Sequence, residues 1–177
     1  EPIVFRSSST DAPFGVVAIV NTKNRENHLR HVKISNGSHA EILDVSYLGA
    51  LSIYNADALL ENVTFEKNLT GDAINVVYSR TRIVNSLFRN NADCIDYDFS
   101  SGAILNNTFE NCNDDVIDIS HSDTLIDGNL IHKAGDKGIS IGEKSQPVVS
   151  NNTIESASIG IAVKDLSTPK LLNNRIL

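Results

Sequence analysis

A repeat of about 22 residues runs through most of the chain and limits the possible folds more than any other feature of the sequence. Six segments share an Asn-rich pattern that ends near an apolar residue: LLENVTFEKN, TRIVNSLFRN, GAILNNTFEN, TLIDGNLIHK, PVVSNNTIES and KLLNNRIL. Their aligned apolar residues are 21 to 23 positions apart; they are Phe65, Phe88, Phe109, Ile131, Ile154 and Ile176. A repeat of this length is typical of a solenoid, in which each repeat buries its apolar face against its neighbours.

A second segment in each repeat alternates apolar and polar residues. These segments are AINVVYS, CIDYDFS, VIDISHS, GISIGEK and GIAVKDL. Alternation with period two is typical of a half-buried strand, and no segment has a helical period over ten or more residues. Leucine-rich repeats are of similar length, but their leucine register is not found here. The sequence therefore predicts an all-β fold, a parallel β-helix solenoid with about 22 residues per coil and strands about 4.8 Å apart.

The repeat is regular over residues 58–177 and less regular over residues 1–57. Ile34 heads an earlier rung, and it precedes Phe65 by 31 residues, which is one repeat plus an insertion of about nine. We therefore predict one continuous domain, with an N-terminal cap and irregular first coils in residues 1–57 and regular coils in residues 58–177. The sequence ends in mid-coil at NNRIL, so we expect the domain to be part of a larger protein. We also expect its C-terminal end to pack on further chain or on another copy.

Two columns of polar residues are interpreted as structural. An inward asparagine at each corner can bond to the asparagine of the next rung, and asparagine tolerates the left-handed backbone of such corners. This column contains Asn107, Asn129, Asn152 and Asn174. A second column is predicted to cap the turns. It contains Ser101, Asp123, Ser145 and Ser167.

Cys94 and Cys112 are the only cysteines, so they cannot form a four-ligand zinc site by themselves. A disulfide between them is one interpretation, and two small buried thiols are the other. The spacing in the sequence does not show whether the two residues meet in space.

The formal net charge of −7 limits the partners of the chain. An acidic protein has little with which to neutralise phosphates, so we expect no nucleic-acid binding. Polyanionic glycans are disfavoured for the same reason, unless a divalent cation bridges them to the protein. No apolar run approaches the roughly 20 residues that span a bilayer, so we expect no membrane insertion.

One predicted strand face is acidic over two neighbouring rungs. Because Ile117 points inward, Asp118 points outward, and Asp96 and Asp98 take the outward positions of the preceding rung. Asp96 should lie about 5 Å from Asp118 across the rungs and roughly 6.5–7 Å from Asp98 along the strand. Such stacked carboxylates repel one another, so the sequence predicts that something compensates for their charge.

Three arrangements would compensate for this charge. Ca²⁺ can bridge the carboxylates through oxygen ligands. The candidate metal ligands are Asp96, Asp98, Asp115 and Asp118. One carboxyl can keep its proton through a raised pKa and act as an acid. Lys137 and Lys164 can instead neutralise the face.

The acidic face also indicates chemistry on sugars. Paired carboxylates at these separations suit the acid and the nucleophile or base of glycoside cleavage. Alternatively, Ca²⁺ neutralises a uronate carboxylate while Lys137 removes a proton, as in a polysaccharide lyase. The candidate catalytic residues are Asp96, Asp118, Lys137 and Lys164. The plain alternative is that an exposed strand face is merely polar, although aspartate is depleted within strands.

The phrases NNTFENCNDDVIDIS, GNLIHKAGDKGISIG and NNTIESASIGIAVKD are similar to the Asn-rich repeat of many carbohydrate-binding and sugar-hydrolase β-helices. Over residues 58–177 the chain resembles the right-handed parallel β-helix proteins of the pectate-lyase-like superfamily. The resemblance implies a right-handed solenoid of roughly six to seven coils. Asp114 and Asp115 resemble the DD pair of polygalacturonases, but the GHG and RIK motifs of those enzymes and the DPHD motif of alginate epimerases are absent.

We therefore expect an extracytoplasmic β-helix module that binds or processes a polysaccharide or another glycan through its acidic face. Its expected location is secreted, periplasmic or on the cell surface. The sequence leaves open whether the module is an enzyme. If it is one, we expect a polysaccharide lyase or a glycoside hydrolase, with Ca²⁺ as the candidate cofactor. The alternative is a non-catalytic structural or adhesive spacer domain of a larger cell-surface protein.

Overall fold

Nearly every repeat supplies three short strands, and each strand pairs in parallel with its counterparts in the repeats before and after it. The arrangement is taken from a computed structural model, which describes residues 1–9, 12–22 and 25–177. In chain order the first strands are β1 (Ile3–Arg6), β2 (Val17–Val20), β3 (Asn27–Arg30), β4 (Val32–Ser35), β5 (Ala40–Ile42), β6 (Val45–Tyr47), β7 (Gly49–Tyr54), β8 (Ala58–Glu61), β9 (Thr64–Glu66), β10 (Asp72–Val77), β11 (Arg80–Val84) and β12 (Leu87–Arg89). The remaining strands are β13 (Ile95–Asp98), β14 (Ser101–Leu105), β15 (Thr108–Cys112), β16 (Ile117–Ser120), β17 (Asp123–Asp127), β18 (Leu130–Ala134), β19 (Lys137–Gly142), β20 (Val148–Ser150), β21 (Thr153–Glu155), β22 (Ile159–Val163), β23 (Lys170–Leu172) and β24 (Arg175–Ile176).

The strands form three parallel sheets that follow the solenoid axis. Within the described residues their strand orders are β1-β4-β9-β12-β15-β18-β21-β24, β2-β7-β10-β13-β16-β19-β22 and β23-β20-β17-β14-β11-β8-β3. Each strand is shifted by one repeat from its neighbour, so that four isoleucines align on four successive strands: Ile74, Ile95, Ile117 and Ile139. The predicted all-β parallel solenoid is therefore confirmed. The described part of the chain has no helix that is long and apolar enough to cross a bilayer.

The N-terminal part of the chain joins the same sheets. Ile34 of β4 aligns with Phe65 of β9, as the repeat predicted, and β1 adds a strand beyond β4. An antiparallel hairpin of β5 and β6 forms the insertion between β4 and β7. Parallel pairing thus begins well before the regular repeat. The predicted cap region, residues 1–57, includes positions 10, 11, 23 and 24, which lie outside the described residues.

The interior is filled by apolar columns in which each residue contacts its equivalents in the adjacent coils. Phe88 lies between Phe65 and Phe109, and the ring centroids of each pair are 4.8 Å apart. All three rings are fully buried, and their separation matches the spacing of neighbouring strands. Burial of each large apolar side chain contributes roughly 1.5–3 kcal/mol. These stacked columns therefore favour the winding of the chain into coils.

The inward asparagines form the ladder that the sequence predicted. Asn129 Nδ2 donates to Asn152 Oδ1 at 2.9 Å and to the Ile104 carbonyl oxygen at 2.8 Å. Asn129 Oδ1 accepts hydrogen bonds from the backbone N–H and the Nδ2 of Asn107, both at 3.0 Å. The preceding residue, Gly128, has a φ of 68°, which is the left-handed conformation that turns the chain at this corner. Each asparagine therefore bonds groups of two neighbouring coils.

The predicted capping row is wrong at Ser101, and Asp123 caps a turn through a different contact from that of the serines in the row. At this corner, the hydroxyl groups that accept backbone N–H groups of the preceding coil belong to Ser79, Ser100, Ser122, Ser145 and Ser167. Ser101 and Asp123 instead begin β14 and β17, and neither is buried. The Asp123 Oδ1 atom nevertheless accepts the backbone N–H of Gln146, in the turn of the next coil, at 2.8 Å. The register slips because the corner before Ser145 contains two left-handed residues, Glu143 and Lys144, whereas the two preceding corners contain one each.

Cys94 and Cys112 form a disulfide, and their Cα atoms are 6.1 Å apart. Cys94 directly precedes β13 and Cys112 ends β15, so the bridge closes one coil of the solenoid. Both residues are buried in the core. Of the two interpretations that the sequence left open, the structure selects the disulfide.

Removal of this disulfide is expected to lower the free energy of unfolding by about 3 kcal/mol. The bridge joins residues 18 positions apart and so restricts that loop in the unfolded chain. The double variant Cys94→Ala/Cys112→Ala is suitable because alanine occupies the equivalent positions of neighbouring coils, Ala73 and Ala134. Urea denaturation of the variant and of the oxidised protein measures the difference. Equal stability of the two proteins would contradict the prediction. Dithiothreitol should lower the stability of the parent protein and leave that of the variant unchanged.

Candidate functional site

An acidic groove lies against the sheet that contains β10, β13, β16 and β19. It encloses about 460 Å³ and is defined by the residues that line it: Asp72, Asp93, Ile95, Asp96, Asp98, Asp114, Asp115, Asp118, Ser120, Asp136 and Lys137. Eight of these residues are aspartates and one is a lysine. The groove is therefore strongly anionic whenever its carboxyls are ionised.

One wall of the acidic groove is built at the corner that leads into the strands. The Asp115 backbone N–H donates to Asp93 Oδ1 at 3.1 Å, and the Lys137 backbone N–H donates to Asp115 Oδ1 at 3.0 Å. Each carboxylate thus bonds the backbone of the next coil, and this fixes its position in the wall. Asp72 takes the equivalent place one coil before Asp93.

Asp96 and Asp118 form the floor of the acidic groove. They belong to a single column on four neighbouring strands. In order along the solenoid it contains Asn75, Asp96, Asp118 and Ser140. Asn75 Nδ2 donates to Asp96 Oδ2 at 2.8 Å, and Asn75 and Ser140 are both 0% exposed. Three buried oxygens of this column have no hydrogen-bond partner within the described residues: Asn75 Oδ1, Asp118 Oδ1 and Ser140 Oγ. Asn75 and Ser140 are closed to solvent, so within this column only Asp96 and Asp118, which line the groove, are open to a bound molecule.

Burial and mutual repulsion raise the pKa values of aspartates in the acidic groove. Burial, followed by the charges of Asp98 and Asp72, raises the pKa of Asp96 to about 8. Burial and neighbouring aspartates also raise the pKa of Asp72 to about 7 and that of Asp93 to about 6. The pKa of Asp98 is raised as well, again mainly by burial. Asp96 therefore keeps its proton at neutral pH, where an ordinary aspartic acid has lost it.

The two predicted lysines lie in different surroundings. Lys137 Nζ donates to Asp115 Oδ1 at 2.9 Å and also to Asp136, and its hydrogen bonds to Asp136 and Asp115 raise the pKa of Lys137. A lysine held in its charged form neutralises one wall of the groove and is poorly suited to remove a proton, as a lyase would require. Lys164 does not line the acidic groove. Its side chain passes Gly142, where an added Cβ would lie 3.0 Å from Lys164 Cε.

The four predicted metal ligands do not form one cluster. Within the described part of the chain, a single group of three acidic or metal-binding side chains brings its ligand atoms within 4.8 Å of one another, namely Asp114, Asp115 and Asp136. Only Asp115 belongs to the predicted set, because the other three ligands project from β13 and β16, beyond the corner at which Asp115 lies. Lys137 already pairs with two members of the group, so a cation there would compete with its ammonium group.

The structure brings Asp96, Asp98 and Asp118 together in the acidic groove, as the alternation of the strands predicted. Asp72 was missed, although a signal was present. An aspartate stands two positions before the isoleucine column in three successive repeats: Asp72, Asp93 and Asp115. Asn75 was not a candidate because a single amide carries no charge pattern, and its full burial is visible only in the folded chain.

A family model described as a right handed beta helix region matches residues 16–176 of the chain. The match spans most of the sequence and includes every strand that carries the acidic groove. No curated protein and no solved structure matches the chain.

Proposed function

The chain belongs to the right-handed β-helix family, and we propose that it is an extracytoplasmic module that binds a neutral polysaccharide in its acidic groove and hydrolyses it. The fold in itself supports either a carbohydrate-active or a structural module. The proposal therefore depends on the groove rather than on the fold. It assigns Asp96 as the general acid and a neighbouring aspartate as its partner.

The observation that carries the proposal is a buried carboxyl with a raised pKa beside other carboxyls on the floor of a groove. Burial raises the pKa of Asp96 to about 8, and Asp118 stands directly opposite on the next strand. Glycoside hydrolysis uses such a pair, in which one carboxyl donates a proton and the other acts as an anion. The carboxylate oxygens that line the groove accept hydrogen bonds and therefore suit a ligand rich in hydroxyl groups.

In the proposed reaction, Asp96 gives its proton to the glycosidic oxygen as the bond between that oxygen and the anomeric carbon breaks. Asp118, about 5 Å away across the strands, suits attack on the anomeric carbon; water then releases the sugar while Asp96 takes a proton from the water. Asp98, roughly 7 Å away along the strand, suits activation of water in a single displacement. Retained configuration in the released sugar would assign the role to Asp118, and inverted configuration would assign it to Asp98.

The charge of the acidic groove favours a neutral substrate. Eight aspartates face one lysine, so an anionic sugar is repelled once the outer carboxyls ionise. Hydroxyl groups of a neutral sugar can donate to the carboxylates and accept from protonated Asp96. An acidic polysaccharide would need Ca²⁺ as a bridge, and the oxygens of the groove are the ligands that Ca²⁺ prefers.

The disulfide supports the proposed location outside the cytoplasm. Structural disulfides persist in oxidising compartments such as the periplasm and the extracellular space. The bridge between Cys94 and Cys112 is buried and closes the coil that carries Asp96 and Asp98. An oxidising compartment would therefore keep the disulfide intact and preserve the conformation of this part of the groove.

The proposal is tested by hydrolysis of soluble neutral polysaccharides, namely dextran, galactomannan and xyloglucan. We expect the parent protein to release reducing ends from at least one of them. The Asp96→Asn variant should be slower by about 100-fold or more, because an amide has no proton to donate. The rate of the parent protein should fall as the pH rises through about 8, where Asp96 loses its proton.

Glu110→Gln is the matched control, because Glu110 lies on β15 in another sheet, and this variant should keep the parent rate. Polygalacturonate and alginate, each with and without CaCl₂, test the acidic alternative. Binding without cleavage would contradict the hydrolase assignment and indicate a carbohydrate-binding module. If the protein neither binds nor cleaves any of these polysaccharides, the proposal is refuted and a non-catalytic spacer is favoured.

A further inference from the structure

Three side chains stack along one corner of the solenoid and form what we call the aromatic ridge: Tyr78, Phe99 and His121. The ring centroids of Tyr78 and Phe99 are 5.1 Å apart, and those of Phe99 and His121 are 4.4 Å apart. Tyr78 and Phe99 nevertheless remain 55% and 47% exposed. His121 Nδ1 lies 2.9 Å from Glu143 Oε2, which holds the far end of the ridge. The ridge therefore presents ordered ring surface to solvent.

The backbone of the aromatic ridge adopts a conformation that is unfavourable for its residue types. The φ angle is 51° at Tyr78, 49° at Phe99 and 49° at His121. This left-handed region suits glycine and asparagine, and bulky side chains rarely adopt it. The two preceding coils have asparagine at the same corner, Asn21 and Asn55. The fold thus does not need aromatic residues at this corner.

The aromatic ridge is continuous with the acidic groove. Phe99 directly follows Asp98, and His121 directly follows Ser120. Asp98 and Ser120 both line the groove. The ridge is therefore the column next to the groove and runs in the same direction, from coil to coil. A long ligand in the groove would lie beside the ridge.

The aromatic ridge ends at Tyr78, where the side chain at the same corner of the preceding coil is shorter. Phe99 covers one face of the Tyr78 ring. On the other side, the neighbouring coil offers the shorter side chain of Asn55, whose Nδ2 donates to Asn21 Oδ1 at 2.7 Å. No aromatic ring among the described residues covers this second face of Tyr78. The second face of the Tyr78 ring is therefore bordered by the side-chain amides of Asn55 and Asn21.

We infer that this second face of Tyr78 is a sugar-stacking subsite, on which one pyranose ring of the polysaccharide packs while its hydroxyl groups bond to Asn55. A pyranose has apolar C–H faces and a polar rim, which match an aromatic face bordered by amides. The inference rests on the proposed function, since it adds a contact for the same polysaccharide. It also places the polysaccharide parallel to the solenoid axis, extending from Asp96 towards the N-terminal coils.

The subsite is tested in the Asp96→Asn background, in which the polysaccharide should bind while its cleavage is slowed by about 100-fold or more. Isothermal titration calorimetry with dextran, galactomannan and xyloglucan gives the affinities. Addition of Tyr78→Asn should weaken binding of the recognised polysaccharide about tenfold. The same substitution should not lower the melting temperature, because asparagine suits the left-handed backbone, as it does at Asn55.

Leu125→Ala is the matched control, since Leu125 is exposed on a different sheet and its replacement should leave the affinity unchanged. If the Asp96→Asn protein binds a polysaccharide and Tyr78→Asn does not alter that affinity, the subsite is refuted while the proposed function stands. A loss of affinity together with a lowered melting temperature would assign Tyr78 a structural role and also refute it. If neither the parent protein nor Asp96→Asn binds any of the polysaccharides, both proposals fail.

Discussion

The free energy of unfolding is expected to fall by about 3–5 kcal/mol in the Asn129→Ala variant. Alanine removes the acceptor for the backbone N–H and the side-chain amide of Asn107, and it removes a donor to the Ile104 carbonyl oxygen. Asn107 and Asn129 are almost completely buried, so water cannot replace these partners. A buried polar group that is left unpaired costs about 1–3 kcal/mol, and this substitution leaves more than one.

Urea denaturation followed by circular dichroism measures this loss. Asn106→Gly is the matched control, because Asn106 is exposed at an equivalent corner and its φ of 53° suits glycine. The control should lose less than about 1 kcal/mol. Similar losses in the two variants would mean that corner flexibility, rather than the ladder of inward asparagines, determines the stability.

The protein is expected to become less stable as the pH rises from 5 to 8. The pKa values of Asp96 and Asp72 in the folded protein, about 8 and about 7, lie above the value of about 4 for aspartate in an unfolded chain. Between these pH values the folded protein binds more protons than the unfolded chain, so unfolding releases protons and a rising pH favours it. One pKa unit corresponds to about 1.4 kcal/mol, and we expect a loss on the order of 3–5 kcal/mol in total.

Asp96→Asn should remove much of this pH dependence, because the amide neither titrates nor repels Asp98. The variant should be more stable than the parent protein at pH 8 and close to it at pH 5. Urea denaturation at intervals of one pH unit measures the effect, with Glu110→Gln as the control. If Ca²⁺ binds the ionised groove, CaCl₂ should stabilise the parent protein at pH 8 more than the variant. A parent protein that gains stability from pH 5 to pH 8 would show that these carboxyls titrate normally.

The solenoid could be predicted because the same packing contact recurs in every coil. Residues such as Phe88 and Ile117 occupy columns that repeat over the regular part of the chain, so one irregular coil does not hide the pattern. The family match over residues 16–176 confirms the right-handed solenoid. The outward direction of Asp96 and Asp118 was also predictable, since alternation along a strand is a local property.

The corners could not be predicted in the same way. A corner with one additional left-handed residue, such as Lys144, shifts the alignment of the residues that follow by one position relative to the preceding coil. The sequence gives no clear signal of this additional residue. The stacking of His121 on Phe99, also at a corner, became visible only in the structure. The depth of the acidic groove and the pairing of Lys137 depend on how neighbouring coils overlap, which strand alternation does not encode.

Every coil contributes one residue to each column, and this has a consequence for how such a protein changes during evolution. Duplication of one repeat inserts a whole coil while the coils on both sides keep their own sequences. An additional coil between β15 and β16 would increase the separation of Asp96 and Asp118 from about 5 Å to about 10 Å. Distances between functional groups along the axis therefore change in discrete steps of one coil. Recombination of whole repeats, more than replacement of single residues, is the direct genetic route to a groove of a different length.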